Sequence, residues 1–356
     1  MSGGVFTYGN PPVIRWGPGS LRFLEDELAG LHSKRPAIVT TRSVASNAEV
    51  MDAVRAAIGG VKDPPVALIG QHAPAAEIDA AVDRLGARRP DLLVSVGGGS
   101  PIDAAKIVAF ELARSGEEGR RVAHLAIPTT LSVAELAPGA GMTDAAGDKV
   151  GRREAGMLPD AVIYDGELVL HTPMPLWLSS GIRALDHAVE GYLAPGEHPF
   201  SDVLAADAIR RLFDSLPRAR EAPMDAGIRT ENQLGAWFGY TLPGPTAGAL
   251  SHVMGKQIGA RHGIPHGVTS CLLLPHVLRY RARREGDRAD ALARASGLGQ
   301  NGEEAAAAIE SLIERLGLPR HLGQFDLTEP DITRAARGVG HDHPVEALIQ
   351  IYHAAW

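Results

Sequence analysis

Short apolar runs alternate with stretches of helical spacing through the first 164 residues, and the alternation then stops. Residues 5–16 predict one or two short strands, broken at Asn10-Pro11-Pro12. Helical spacing follows at 21–31, 47–58 and 76–86, with apolar strands at 35–40, 66–69 and 92–96. A further strand at 122–127 ends in Pro128-Thr129-Thr130. Strands separated by helices predict a parallel sheet, with ligands expected beyond the C-terminal ends of the strands. After residues 159–165 the strand pattern fades. Helices are expected at 175–194, 200–213, 229–242, 246–258, 268–284, 287–296, 303–316 and 345–353. The pattern therefore predicts an α/β domain over 1–164 and an all-helical domain over 165–356, with no internal repeat.

The most informative stretch is 91–106, DLLVSVGGGSPIDAAK. Gly97, Gly98 and Gly99 let the backbone turn tightly after the strand and bare its N–H groups. Ser100 is the expected N-cap, Pro101 the first helical residue and Asp103 the capping-box acid. First-turn amides lack partners inside a helix, so a strand, three glycines and a helix start form an anion site. The common GxGxxG fingerprint is absent. At the end of the 35–40 strand stand Thr40, Thr41, Arg42 and Ser43, where many nucleotide folds place an acid for the adenine ribose. No acid is present; Arg42 either accepts a 2′-phosphate or belongs to an ordinary loop.

Composition narrows the class of partner. A net charge of −7 argues against a nucleic-acid surface and for a small molecule. One cysteine, Cys271, excludes a disulfide within the chain and suits a reducing compartment. The first residues lack a basic, then apolar, export signal, and no run approaches the ~18 apolar residues of a membrane span. A cytoplasmic protein without membrane or nucleic-acid partners is expected, most simply as a homodimer.

Three histidines stand out in the helical half: His187 in GIRALDHAVEGY, His252 in GALSHVMGKQIG and His266 in HGIPHGVTS. The order GGGSPIDAAK, PTT, DHAVE, His252, the PHG of His266 and LLLPHVLRY resembles the iron-containing (group III) alcohol dehydrogenase family over essentially the whole chain. Within it the sequence looks most like the maleylacetate reductases. The resemblance implies the dehydroquinate synthase-like fold: a nucleotide-binding α/β domain, a helical catalytic domain and an active site in the cleft between them. It implies NADH or NADPH held by Gly97, Gly98, Gly99 and Ser100, with Thr129, Thr130 and Lys149 lining the site; Thr40, Arg42 and Asp103 are expected there from their places at the strand end and the helix start. Lys149 is expected to reach it from a loop.

Metal-dependent members of that family hold a divalent ion with one aspartate and three histidines. The aspartate precedes the first histidine by four residues, on the same helix face. Here that position is Arg183, while Asp186 next to His187 is expected to point elsewhere. Four residues after His252, where many relatives have another histidine, stands Lys256, and the usual PTTxGTGSE run is PTTLSVAE. If a metal were bound, His187, His252 and His266 would be its ligands, but two cations nearby oppose it. The expectation is a metal-independent, NAD(P)H-dependent reductase of a small oxo- or enoyl-carboxylic acid. Arg183, Lys256 and the histidines would stabilise developing charge and donate the proton. On this view Arg183 faces the cleft and carries little of the core; its alternative is a surface ion pair with Asp186 or Glu190. NADPH should be accepted as well as NADH. The alternatives are a metal-dependent alcohol or aldehyde dehydrogenase, and a catalytically silent nucleotide-binding relative. His262 and His276 are expected to be packing or surface residues.

Overall fold

The apolar runs of the first half pair into one sheet whose strands all run parallel. The computed structural model describes residues 9–59, 64–115, 121–196, 198–240, 249–259, 261–340 and 342–356. Its strands β1 (Val13–Trp16), β2 (Pro36–Thr40), β3 (Val66–Leu68), β4 (Leu92–Gly97), β5 (Ala123–Pro128) and β8 (Ala161–Tyr164) form a six-stranded sheet in the order β1-β8-β5-β4-β2-β3. The helices are α1 (Leu24–Gly30), a single turn α2 (Arg42–Ala45), α3 (Ala48–Ile58), α4 (Ala75–Gly86) and α5 (Gly99–Arg114). Successive strand residues face opposite sides. Ala37, Val39 and Leu93 therefore pack with Ile78 and Leu85 of α4 and Ala104, Ile107 and Val108 of α5. Ile38, Val94, Val96, Ile127 and Ile163 pack instead with Leu24 and Leu28 of α1 and Val50, Met51 and Val54 of α3. Both faces are covered, which is why the strands read as nearly continuous apolar runs.

A hairpin of β6 (Ala140–Thr143) and β7 (Lys149–Arg152) escaped the sequence pattern. Its glycines and charged residues carry no alternation, so pairing alone defines it. Lys149 thus heads a strand rather than sitting in a loop.

By contacts the chain divides into two units. The α/β unit runs from Gly9 to Thr172, past residue 164, and takes in Met224–Gln233; the helical unit comprises Pro173–Pro223 and Leu234–Trp356. The remaining helices are α6 (Met174–Tyr192), α7 (Pro199–Glu221), α8 (Ala226–Gly239), α9 (Leu250–Gly259), α10 (His266–Arg284), α11 (Gly286–Ser296), α12 (Gly302–Arg315), α13 (Glu329–Gly338) and α14 (Val345–Ala354). α7 continues beyond residue 213 and through Pro217, because Leu216, Pro217 and Ala219 are buried and packing overrides the proline's local cost. α13 was unexpected, although its signal was present: Thr328 and Asp331 form a reciprocal capping box. Strand residues expected at 5–8 and helical ones at 241–242 and 246–248 lie outside the described residues. Among those described, no helix is long and apolar enough to cross a membrane.

Candidate functional site

In the α/β unit, β4 ends at Gly97 with φ +143°, a conformation that other residues rarely adopt. A Cβ there would lie 2.6 Å from Pro101 Cγ, and one on Gly98 would lie 3.0 Å from Thr130 Oγ1. The Thr129 amide donates to the Gly97 carbonyl at 2.8 Å, locking the two strand ends together. Beside Gly99 lies Ser132 Oγ, buried and without a hydrogen-bond partner among the described residues. The expected capping does not occur. Gly98 occupies the N-cap position of α5 and no side chain caps the helix. Ser100 Oγ instead accepts the His72 amide at 2.9 Å, and Asp103 Oδ2 accepts the Gly141 amide at 3.1 Å. Both side chains tie neighbouring segments to the turn and leave α5 without a side-chain cap, as an anion site requires.

The other expected cofactor residues divide. Thr40 is buried and its hydroxyl donates to the Val96 carbonyl at 2.7 Å, so it serves the sheet. Thr129 and Thr130 are buried against the glycine turn. Asp103 and Lys149 flank Gly141, and burial lowers the Lys149 pKa against the pull of Asp103. Arg42 is paired, Nη2 to Glu77 Oε1, at 2.9 Å. Glu77 comes from α4.

Lys106 was not singled out from the sequence. It is 1% exposed, and its ammonium donates to the carbonyls of Ala134 (2.6 Å), Ala137 (2.6 Å) and Gly139 (2.9 Å). Burial pushes its pKa down to about 8, against the attraction of Asp103 and Glu135. Its only sequence signal is a cation one turn after Asp103 on a mostly apolar helix. Lys106 thereby fixes the segment that follows Thr130 and Ser132. Lys106→Met strands buried carbonyls, so it should cost about 1–3 kcal/mol in stability by urea unfolding. It should also weaken dinucleotide binding. An unchanged midpoint and affinity would make the lysine dispensable.

In the helical unit, α6 is buried from Trp177 to Tyr192, including its polar residues. α10 crosses it closely at Gly267, where a Cβ would stand 2.6 Å from the Ser179 carbonyl. That approach seats a polar cluster. Arg183 Nη1 bonds Asp186 Oδ2 (3.0 Å) and Ser270 Oγ (3.0 Å). The same carboxylate oxygen accepts Ser251 Oγ (3.0 Å) and Ser270 Oγ (2.6 Å). Asp186 is thus turned toward Arg183 rather than elsewhere, and the ion pair is buried, at 7% and 1% side-chain exposure, rather than on the surface. Burial raises the Asp186 pKa despite Arg183 and the serines. Glu190 accepts the amides of Ser251 (2.9 Å) and His252 (3.4 Å) at the start of α9; burial and Asp186 push it up to about 8.

His187 is buried, and burial and then the Arg183 charge hold it well below its ordinary pKa, so its ring is neutral. Its Nδ1 has no partner among the described residues. The ring lies edge-on to Tyr240 at 5.1 Å and 6.1 Å from the His252 ring. His266 is half-buried at the start of α10, with Nδ1 beside Gly259 at the far end of α9, while Lys256 is exposed. His262 Nδ1 meets the Asp326 carbonyl at 3.1 Å and His276 is half-buried. Among the described residues no three His, Cys, Asp or Glu side chains are grouped to hold a metal ion.

Two family models match consecutive parts of the chain: iron-containing alcohol dehydrogenase over residues 11–166, and the C-terminal part of the Fe-containing alcohol dehydrogenase family over 177–347. Maleylacetate reductase 1 of Rhodococcus opacus is 31% identical over 332 residues, 93% of this chain and 88% of the relative. The crystal structure of maleylacetate reductase from Agrobacterium tumefaciens superposes with a TM-score of 0.85 at 27% identity, covering 100% of this chain and 99% of that one. Sulfoacetaldehyde reductase from Bifidobacterium kashiwanohense, solved in complex with NAD+, gives 0.87 at 26% identity, with 99% of each chain covered. The glycine turn, the histidine helices and these matches agree that the chain belongs to the iron-containing alcohol dehydrogenase family, on its maleylacetate reductase-like branch.

Proposed function

We propose that this oxidoreductase reduces a small oxo- or enoyl-carboxylic acid, of the maleylacetate kind, with NADH or NADPH and without a catalytic metal. The observation that carries the reading is the buried Arg183–Asp186 pair where metal-dependent relatives would place a ligand. The donor set does not fit a divalent cation. Arg183 cannot ligate and holds a fixed positive charge beside His187; Asp186 Oδ2 is taken by Arg183 and two serines, and only its Oδ1 has no partner among the described residues.

The glycine turn does fit a dinucleotide diphosphate. It offers amides that no side chain caps, no Cβ at Gly98 or Gly99, and a buried Ser132 hydroxyl without a partner among the described residues. When bound, the dinucleotide supplies the hydride. The chain's own residues then orient the substrate and manage charge. Neutral His187 donates a hydrogen bond to the oxygen on which negative charge develops, without first needing a proton. His252, its amide pinned by Glu190, and His266 supply the proton. Lys256, one turn after His252 on α9, meets the carboxylate of the substrate.

The test is chemical. Purified protein should contain well under one equivalent of iron or zinc, and EDTA should leave NAD(P)H oxidation with maleylacetate intact. Neutral butanal should be reduced poorly. Activity lost to EDTA and restored by iron or zinc would sink the reading.

A further inference from the structure

The end of β2 carries no acid, yet an acid reaches it from another helix. β2 lies directly beside β4 in the sheet, with Thr40 opposite Val96. The residues after Thr40 are therefore one strand over from the glycine turn, where doubly wound folds place the adenosine ribose next to the diphosphate. Glu77 on α4 arrives there with both oxygens engaged. Oε2 accepts the Gly70 amide just after β3, and Oε1 receives Arg42 Nη2 at 2.9 Å. A Cβ on Gly70 would stand 2.9 Å from Oε2, so the bare glycine permits the approach. Some burial works against ionisation, but Arg42 and the Gly70 amide hold the carboxyl below its usual pKa, and it stays charged. Glu77 is the less exposed partner, with its side chain 29% exposed against 67% for Arg42.

We propose that Glu77 is the specificity residue of the cofactor site: it reads the 2′-hydroxyl of the adenosine ribose and, by holding Arg42, disfavours a 2′-phosphate. The inference rests on the dinucleotide reading of the glycine turn. A ribose hydroxyl donates to the carboxylate at no electrostatic cost. A 2′-phosphate brings two like charges together and must also draw Arg42 away from its partner. The missing acid at residues 40–43 led to the expectation that NADPH is accepted as well as NADH; on this proposal it is accepted less readily.

The experiment titrates NADH and NADPH into the full chain, following nicotinamide fluorescence, with no substrate present. The wild-type protein should bind NADH at least tenfold tighter than NADPH. Glu77→Gln keeps an oxygen for the Gly70 amide but drops the charge, and it should narrow that ratio about tenfold, mainly by tightening NADPH. Arg42→Ala should weaken NADPH while leaving NADH within about twofold. Thermal unfolding of each variant confirms that it is folded. A wild-type preference for NADPH, or a Glu77→Gln variant with an unchanged ratio, overturns the proposal. Binding of neither dinucleotide by the wild-type chain overturns the cofactor reading itself, a result distinct from an unchanged ratio.

Discussion

Arg183→Ala should unfold at a urea midpoint lowered by the equivalent of about 3–5 kcal/mol, the usual cost of stranding one member of a buried ion pair. Asp186 is 1% exposed, and burial already strains its charge. Without the guanidinium, two serine hydroxyls alone would have to hold the carboxylate, and α6 would keep its tie to Ser270 of α10 through Asp186 only. The expectation that Arg183 carries little of the core therefore gives way to the geometry. A matched apolar pair, Arg183→Met with Asp186→Leu, should recover most of the loss, because it removes both desolvation penalties together. Were the single variant as stable as the wild type, the pair would contribute nothing to the junction of α6 with α10.

His187→Leu should lower kcat for the acid substrate by roughly 10²–10³, the usual loss when one donor to a developing oxyanion is removed. Leucine fills the buried site, so KM and the urea midpoint above pH 6.5 should move little. A pH series separates chemistry from packing. The folded ring titrates well below 6.5, whereas an unfolded histidine gains its proton near 6.5. The stability that His187 lends is fully present above 6.5 and is lost as pH falls below it. His187→Leu should lack that part of the acid decline, while its kcat stays low across pH 6.5–8. A variant with full kcat would make His187 a packing residue beneath Tyr240.

Much of the fold was legible because its causes are local. Strands buried on both faces must be apolar throughout, so β2, β4 and β5 announced themselves, and a turn at φ +143° demands the glycine found at Gly97. Spacing alone placed His187 and His252 on the helices that carry them, whereas α10 begins at His266, two residues before the expected start at 268. The capping of α5 was misjudged, because Ser100 and Asp103 satisfy the local rule equally well whether they cap the helix or bond His72 and Gly141. The β6–β7 hairpin offered no pattern to find.

What only the tertiary structure decided is which charges meet. Arg183 and Asp186 stand three apart in the chain, a spacing that serves a solvated surface pair equally well. Their burial depends on α10 closing over α6 at Gly267, which brings Ser270 against Arg183. Glu77 and Arg42 are 35 residues apart, and Lys106 finds its three carbonyls 28 to 33 residues away. The order of residue types determines the strands, the helices and the glycine turn, because backbone sterics and apolar burial act over a few residues. The partners of each charge are set by distances that exist only once those elements pack, and by the exclusion of water that makes an unpaired charge costly.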